Sequence, residues 1–337
     1  MSADPMGAGA PAPSPRGVDP VRPDDDLDSP PTPAEIEGLA GRLPAEIRFG
    51  TSTWTYPGWT GLVYARPYPE RGRAAAMLAE YARFPLFRTV GIDSSFYGPP
   101  SAKTLGRWAR ALPAGFEAVS KVWDRITVHT FADARDRARA GQENPDFLNA
   151  ELFLREVLDP YRAHFGDHVG PFVFEFQTIS SRNRFEPERF AEWLDRFFGR
   201  LPADARYAVE VRNEEFLSAP YFAVLREHDV AHVFSSWTRM PTIGEQLDRA
   251  GSVPARFLVA RALLRPGRSY DEAVDRFAPY DRIRERNGQL RGDLARLART
   301  AVELRIPAFL LVNNRAEGSA PLTIRAVARM LAEPPGA

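Results

Sequence analysis

The chain has 337 residues, 44% of them apolar, with 44 basic and 44 acidic side chains and no cysteine. That length can bury one large core or two ordinary ones, and the lack of thiols excludes disulfides, thiolate metal sites and cysteine nucleophiles. The balanced charge supplies no global field toward nucleic acid or an anionic membrane. No apolar run approaches the roughly 20 residues a bilayer crossing requires, so a soluble, cytoplasmic protein with no membrane partner is expected.

Residues 1–33 are rich in Pro, Gly, Ala and Asp and have almost no large apolar side chain, so they read as a disordered tail without a secretion signal. Residues 34–45 form a short helical lead-in that opens at Thr32-Pro33 and stops at Pro44. Residues 46–332 follow as a single domain, with 333–337 as a C-terminal tail. Eight runs rich in Val, Ile and Phe read as strands: 47–54, 87–97, 116–123, 171–178, 206–213, 230–237, 255–264 and 307–314. Between them, segments 73–84, 101–112, 144–165, 186–201 and 290–304 carry the 3.6-residue period of amphipathic helices. In the first of these, Met77, Leu78, Tyr81 and Phe84 make the apolar stripe.

Doubly buried strands alternating with amphipathic helices specify an α/β protein with a parallel sheet, and eight strands is the number that closes a TIM-type (β/α)8 barrel. An open doubly wound sheet is the competing architecture, but no Gly-x-Gly-x-x-Gly follows any strand. The longer connections 239–254 and 265–290 are expected to lie over the barrel mouth.

Side chains alternate along a strand, so one parity faces the lumen and the other the helices. In "YAVEVRN" the valines Val209 and Val211 share one parity, and Glu210 and Arg212 share the other. The charged pair is therefore expected inside, at the C-terminal rim where barrel active sites are built. The same parity collects Asp93, Ser95 and Tyr97 from strand two, Lys121 and Trp123 from strand three, and Glu175 and Gln177 from strand four. Arg261 of strand seven and Asn313 of strand eight complete the ring. Charges inside a barrel are costly unless paired or used. Two readings follow: a functional mouth, or ion pairs between Glu210 and Lys121 or Arg261 that merely close the core.

The segments "FGTSTWTYPGWTGLVY", "IDSSFYGPPSAKTLGRWARALPAGFEAVSKVWDRITVH", "VGPFVFEFQ", "AVEVRN" and "LLVNN" occur in that order over residues 47–325. In them the chain resembles the YecE-like family, domain of unknown function 72. The resemblance implies a TIM-type barrel and no settled reaction. It also implies a recurrent polar set at Thr51, Ser52, Trp54, Tyr56, Ser94, Phe96, Tyr97, Lys121, His129, Gln177, Glu210, Arg212, Arg261, Asn313 and Asn314. Two departures stand out: Gly91 followed by Asp93 where relatives usually carry a Glu, and "VARALLRPG" around Arg261 without the His common in relatives.

The chemistry expected of these residues is acid/base work on a small anionic or sugar-like ligand, as an isomerase, lyase or hydrolase would perform. Glu210, Lys121 and Asp93 are the candidate catalytic groups. Arg212 and Arg261 offer bidentate clamps for carboxylate or phosphate, and Asn313, Asn314 and Gln177 offer mixed donors and acceptors for hydroxyls. Ser52, Trp54, Tyr97 and His129 complete the candidate binding set. The rim aromatics, Trp54, Tyr56, Trp59, Phe96, Tyr97, Trp123 and Trp237, suit stacking or plugging equally.

No cofactor is identified by a motif. A divalent metal is weakly supported by Asp93, Glu175, Glu210 and His129, should their loops converge. The pairs His164/His168 and His228/His232 read as surface features. Nucleic-acid binding or metal-dependent nuclease action is the alternative class, carried by "ARDRARAG" at 134–141 and by the arginines of 256–296. It is not favoured, since acids interleave both stretches. A ligand-binding barrel without catalysis is the third class, and the sequence sets no oligomeric state.

Overall fold

In the computed structural model, residues 30–131, 139–179, 185–265 and 267–333 are described. The expected N-terminal tail up to residue 29, the C-terminal tail from 334 and most of the basic stretch 134–141 lie outside the described residues. Helix Pro33–Arg42 starts one residue ahead of the expected lead-in, with the Thr32 hydroxyl accepting from the Glu35 amide at its N-cap.

Eight parallel strands follow: β1 (Ile47–Thr51), β2 (Thr89–Ile92), β3 (Glu117–Lys121), β4 (Val169–Phe176), β5 (Tyr207–Val211), β6 (Ala231–Ser236), β7 (Leu258–Ala262) and β8 (Ala308–Val312). Each expected run contains its strand, trimmed at one or both ends, except that β4 begins two residues earlier than expected. The hydrogen-bonded order is β1-β8-β7-β6-β5-β4-β3-β2, which brings the first and last members round to face each other. Helices surround this nearly closed barrel, a TIM-type architecture.

The β1–β2 seam is made differently from the others. The Arg88 amide donates to the Phe49 carbonyl at 2.8 Å. Above it, the Tyr81 hydroxyl accepts from the Thr51 amide at 2.8 Å and donates to the Thr89 carbonyl at 3.0 Å. Tyr81 ends the helix Ala74–Tyr81, so a side chain from the helix between β1 and β2 bridges those two strands. The strands come so close here that a Cβ on Gly50 would stand 2.2 Å from the Thr89 carbonyl oxygen, and one on Gly91 would stand 2.9 Å from Ser52 Cα.

Alternation divides the core in two. Val209 and Val211 join the apolar cluster under the helices, whereas Val119, Val173, Ala208, Val233, Val259 and Leu311 pack together in the lumen. Below this plug, Arg48 and Arg206 both pair with Glu117 and lie over the Phe309 ring, each 5.3 Å from its centroid, which closes the N-terminal end. The opposite end is the mouth.

The two long connections take different courses. In 265–290, Pro279 meets Gly58 and Tyr280 meets Tyr56, both on the loop after β1, so this segment covers one side of the rim. The 239–254 connection does not lie over the mouth as expected. Its helix Ile243–Leu247 is anchored on the outer face of β6, where Gln246 bonds the backbone of Ser235 at both N and O.

Candidate functional site

Five strands send charged side chains inward at the C-terminal end of the barrel. Arg261, near the end of β7, is almost fully buried and reaches across the lumen. Its Nη2 donates to Asp93 Oδ2 at 2.7 Å and its Nη1 to Glu175 Oε2 at 2.9 Å, while Nη1 also bonds Glu210 Oε2. Arg212, just beyond β5, places Nη2 2.7 Å from Glu175 Oε2 and 2.7 Å from Glu210 Oε1. Lys121 Nζ lies 2.7 Å from Glu175 Oε2. Three cations and three carboxylates thus form one connected floor tying β2, β3, β4, β5 and β7 together.

The electrostatics follow from this geometry. Burial acts to raise the Glu175 proton affinity, but the charges of Arg212, Lys121 and Arg261 outweigh it and hold the carboxyl well below the usual carboxylate range. Burial likewise disfavours the Arg261 cation, and Asp93, Glu210 and Glu175 more than reverse that. Two of the three cations beside Glu175 also rest on rings: Lys121 Nζ is 4.1 Å from the Phe96 centroid, and the Arg212 guanidinium carbon is 3.8 Å from that of Trp237.

Above the floor opens a cavity of about 590 Å³. Asp93, Lys121, Glu175, Arg212 and Arg261 line its base, and Gln177, Thr178, Ser94, Asn313 and Arg315 supply further polar groups. Its walls are Tyr56, Phe96, Tyr97, Trp237, Leu263 and Leu264. Asp93 opens the short helical turn Asp93–Tyr97, which also carries Phe96 and Tyr97, and its side chain is 29% exposed against 7% for Glu175 and 0% for Glu210. Asp93 is therefore the carboxylate most open to the cavity.

Of the residues expected at the site, the mouth gathers Asp93, Lys121, Gln177, Arg212, Arg261, Asn313 and Tyr97. Glu210 lies behind them, sealed by the two arginines rather than lining the cavity. The clamps expected of Arg212 and Arg261 close on the protein's own carboxylates. Ser52 is buried where β1 passes Gly91 of β2. Trp54 donates its indole N–H to the Ala74 carbonyl at 2.7 Å and packs edge-on against Trp108. Asn314 Oδ1 accepts from the Trp59 indole at 3.2 Å and the Ala320 amide at 2.8 Å, a loop anchor beneath the rim.

His129 stands apart from the mouth cavity. It stacks on Trp193 with centroids 5.3 Å apart and lines a separate recess with Glu143, Asn144 and Phe147, where burial lowers its proton affinity. Three metal donors are not assembled among the described residues: Asp93, Glu175 and Glu210 converge on the Arg261 guanidinium, and His129 lies elsewhere. His232, expected at the surface, is instead buried on the helix-facing side of β6 between Tyr221 and Gln246. Its parity with Phe234 places it there. Leu263, Leu264, Thr178 and Arg315 were not foreseen at the mouth. The leucines read as the end of a strand, whereas β7 stops at Ala262.

A parallel eight-stranded barrel with a charged C-terminal mouth defines the class. Family comparison then places the chain: residues 48–337 match the model of the protein of unknown function DUF72 family, and the protein belongs to that family. A DUF72 family protein from Enterococcus faecalis superimposes with a TM-score of 0.57 at 17% identity, covering 86% of this chain and 96% of that one. One from Thermotoga maritima gives 0.57 at 18%, covering 85% and 99%. At these identities the likeness is one of fold. No curated protein matches the chain.

Proposed function

We propose that this protein is an enzyme that performs acid/base chemistry on a small anionic or sugar-like metabolite at the C-terminal mouth of the barrel. The observation that carries the reading is the open Asp93 carboxylate, held by Arg261 at 2.7 Å on the floor of a cavity sized for one small molecule. Asp93 exchanges the proton, Lys121 stabilises developing negative charge beside it, and Glu210 sets Arg261 from behind. Gln177, Asn313 and Arg212 orient the ligand, with Tyr97 at its outer edge. The described arginines between 256 and 296 give less support to nucleic-acid binding than their number suggested. Arg256 pairs with Asp229, Arg265, Arg268 and Arg276 with Glu285, and Arg291 with Glu317.

The test is a metabolite screen by ligand-detected NMR on the full chain, followed by turnover assays on each hit. Asp93→Asn is expected to lower kcat by about 100-fold or more while retaining binding. Unchanged turnover in both Asp93→Asn and Lys121→Ala would overturn the reading, and binding without turnover of any hit would favour a ligand-binding barrel.

A further inference from the structure

The ion-paired floor leaves hydrogen-bond donors over. Resting on the reading of the mouth as a metabolite site, we infer that its ligand carries an oxyanion, a carboxylate or a phosphate, and that Arg212 receives this group.

Arg212 is 5% exposed and borders the cavity. Both of its carboxylate contacts, to Glu175 and Glu210, are made by Nη2. Its Nε and Nη1 are buried with no hydrogen-bond partner among the described residues, and the same holds for Nε of Arg261. A guanidinium donates and never accepts, so only an acceptor can complete these groups. A buried donor without an acceptor is costly, so an unmatched set beside an open cavity points to an acceptor from outside the chain.

Charge selects an ionised acceptor over a neutral one. Lys121, Arg212, Arg261 and Arg315 border the cavity against Asp93 and Glu175, while Glu210, the third carboxylate of the floor, is sealed behind them. Three of these cations, Lys121, Arg212 and Arg261, converge on the single oxygen Glu175 Oε2. The cavity therefore sees more positive than negative charge, and its field draws in an anion. Hydrogen bonds from a guanidinium to an ionised oxygen are also roughly twice as strong as neutral ones.

Trp237, half-buried in the wall of the same cavity, lies over the Arg212 guanidinium at 3.8 Å. The oxyanion reaches Nε and Nη1 by moving this ring aside, which exchanges a cation–π contact for charge-assisted hydrogen bonds. Gln177 and Thr178, exposed on the same rim, are left for the uncharged remainder of the ligand.

The experiment titrates the full chain by calorimetry with two matched sets: glycerol, D-glycerate and glycerol 3-phosphate, and D-glucose, D-glucuronate and D-glucose 6-phosphate. In at least one set an anionic member is expected to bind about tenfold or more tightly than its neutral parent, and added salt to weaken it. The tighter of the two anions in that set identifies the source, carboxylate or phosphate. Arg212→Lys keeps a cation for Glu175 and Glu210 but lacks the Nε and Nη1 donors, so it should weaken the anion by about tenfold and leave the neutral parent unaffected. Circular dichroism checks that this variant folds; if it does not, the wild-type comparison of each anion with its parent decides alone. Tryptophan fluorescence should change on binding, and Trp237→Phe should abolish that change. The inference is overturned by neutral parents that bind as tightly as their anions, by no binding of any of the four anions, by undiminished anion affinity in folded Arg212→Lys, or by a fluorescence change that survives Trp237→Phe. Each of these results leaves acid/base chemistry at Asp93 standing. Anion binding without turnover removes the catalytic reading and leaves the oxyanion site intact.

Discussion

Arg261 and Asp93, 168 residues apart in the chain, meet at 2.7 Å across the barrel lumen. The contact joins β7 to the turn after β2, and Arg261 continues to Glu175 and Glu210. One guanidinium therefore serves both the buried floor and the carboxylate that faces the cavity.

Removing that guanidinium leaves Glu210, which is fully buried, with Arg212 as its remaining ion-pair partner. Arg261→Met is expected to cost about 3 kcal/mol in urea unfolding, the scale of a broken buried ion pair. The double variant with Glu210→Gln should recover part of it, because the stranded charge is then gone. A loss below about 0.5 kcal/mol in the single variant would show that the floor contributes nothing to stability.

Tyr81→Phe deletes the hydroxyl that bridges the Thr51 amide and the Thr89 carbonyl. Both groups are then buried without that partner, for an expected loss of about 1–3 kcal/mol. Hydrogen exchange should accelerate first at the Thr51 amide. Uniform acceleration over the whole barrel would argue against a local seam defect.

Two groups make the fold sensitive to acid. Burial pushes the His232 imidazole down to about 4, a hydrogen bond with Gln246 opposes this, and Arg249 adds to it. The unfolded imidazole titrates near about 6.5, so the unfolded chain takes up a proton first as the pH falls. This contribution is complete above about pH 6.5 and lost on descent to about pH 4, at most about 3 kcal/mol. Glu175, whose carboxyl is held low against its burial by Arg212, Lys121 and Arg261, adds stability that is present above about pH 4.3 and is lost as the pH falls further. Unfolding free energies of wild type and His232→Gln from pH 4 to 7 check the first part. The variant's curve should be flatter by about one proton.

Glu35 fastens the helix Pro33–Arg42 to the C-terminal helix Ala320–Ala332 through Arg325, with Nε at 2.6 Å and Nη2 at 2.7 Å, and through Arg329. Arg325 is buried, so Glu35→Gln removes a carboxylate paired with a buried guanidinium and should weaken this helix by about 1–2 kcal/mol. Exchange of amides 36–42 is the readout: about tenfold faster or more, with the barrel strands unchanged. Equal exchange would mean that Ile36 and Leu39 hold the helix alone.

The barrel was legible because eight doubly buried strands and their helices each follow one period. Parity alone put Glu210 and Arg212 inside and Val209 and Val211 outside. What parity lacks is depth and rotamer, so it could not tell that Glu210 would be sealed while Asp93, on a turn just beyond β2, would open to the cavity. The position of His129 depends on a loop whose course no periodicity encodes. His232 was misread because it was taken with His228 as a surface pair, although it lies within the run read as the sixth strand and shares the helix-facing parity of Phe234. The segment 144–165 was read as helical throughout; it is helical from Ala150 to Phe165, with a π-helical turn at Leu154–Leu158 just ahead of Pro160, while residues 144–149 form a turn.

A cylinder whose final joint is completed by a tyrosine hydroxyl cannot be finished by its strands alone. The helix that carries Tyr81 must be in position before the ring is whole, which makes residues 47–92 a keystone: a short, locally connected unit that both begins the wall and locks it. Changes that shift that helix would therefore loosen the joint between the first and second staves rather than the chemistry at the opposite side of the mouth.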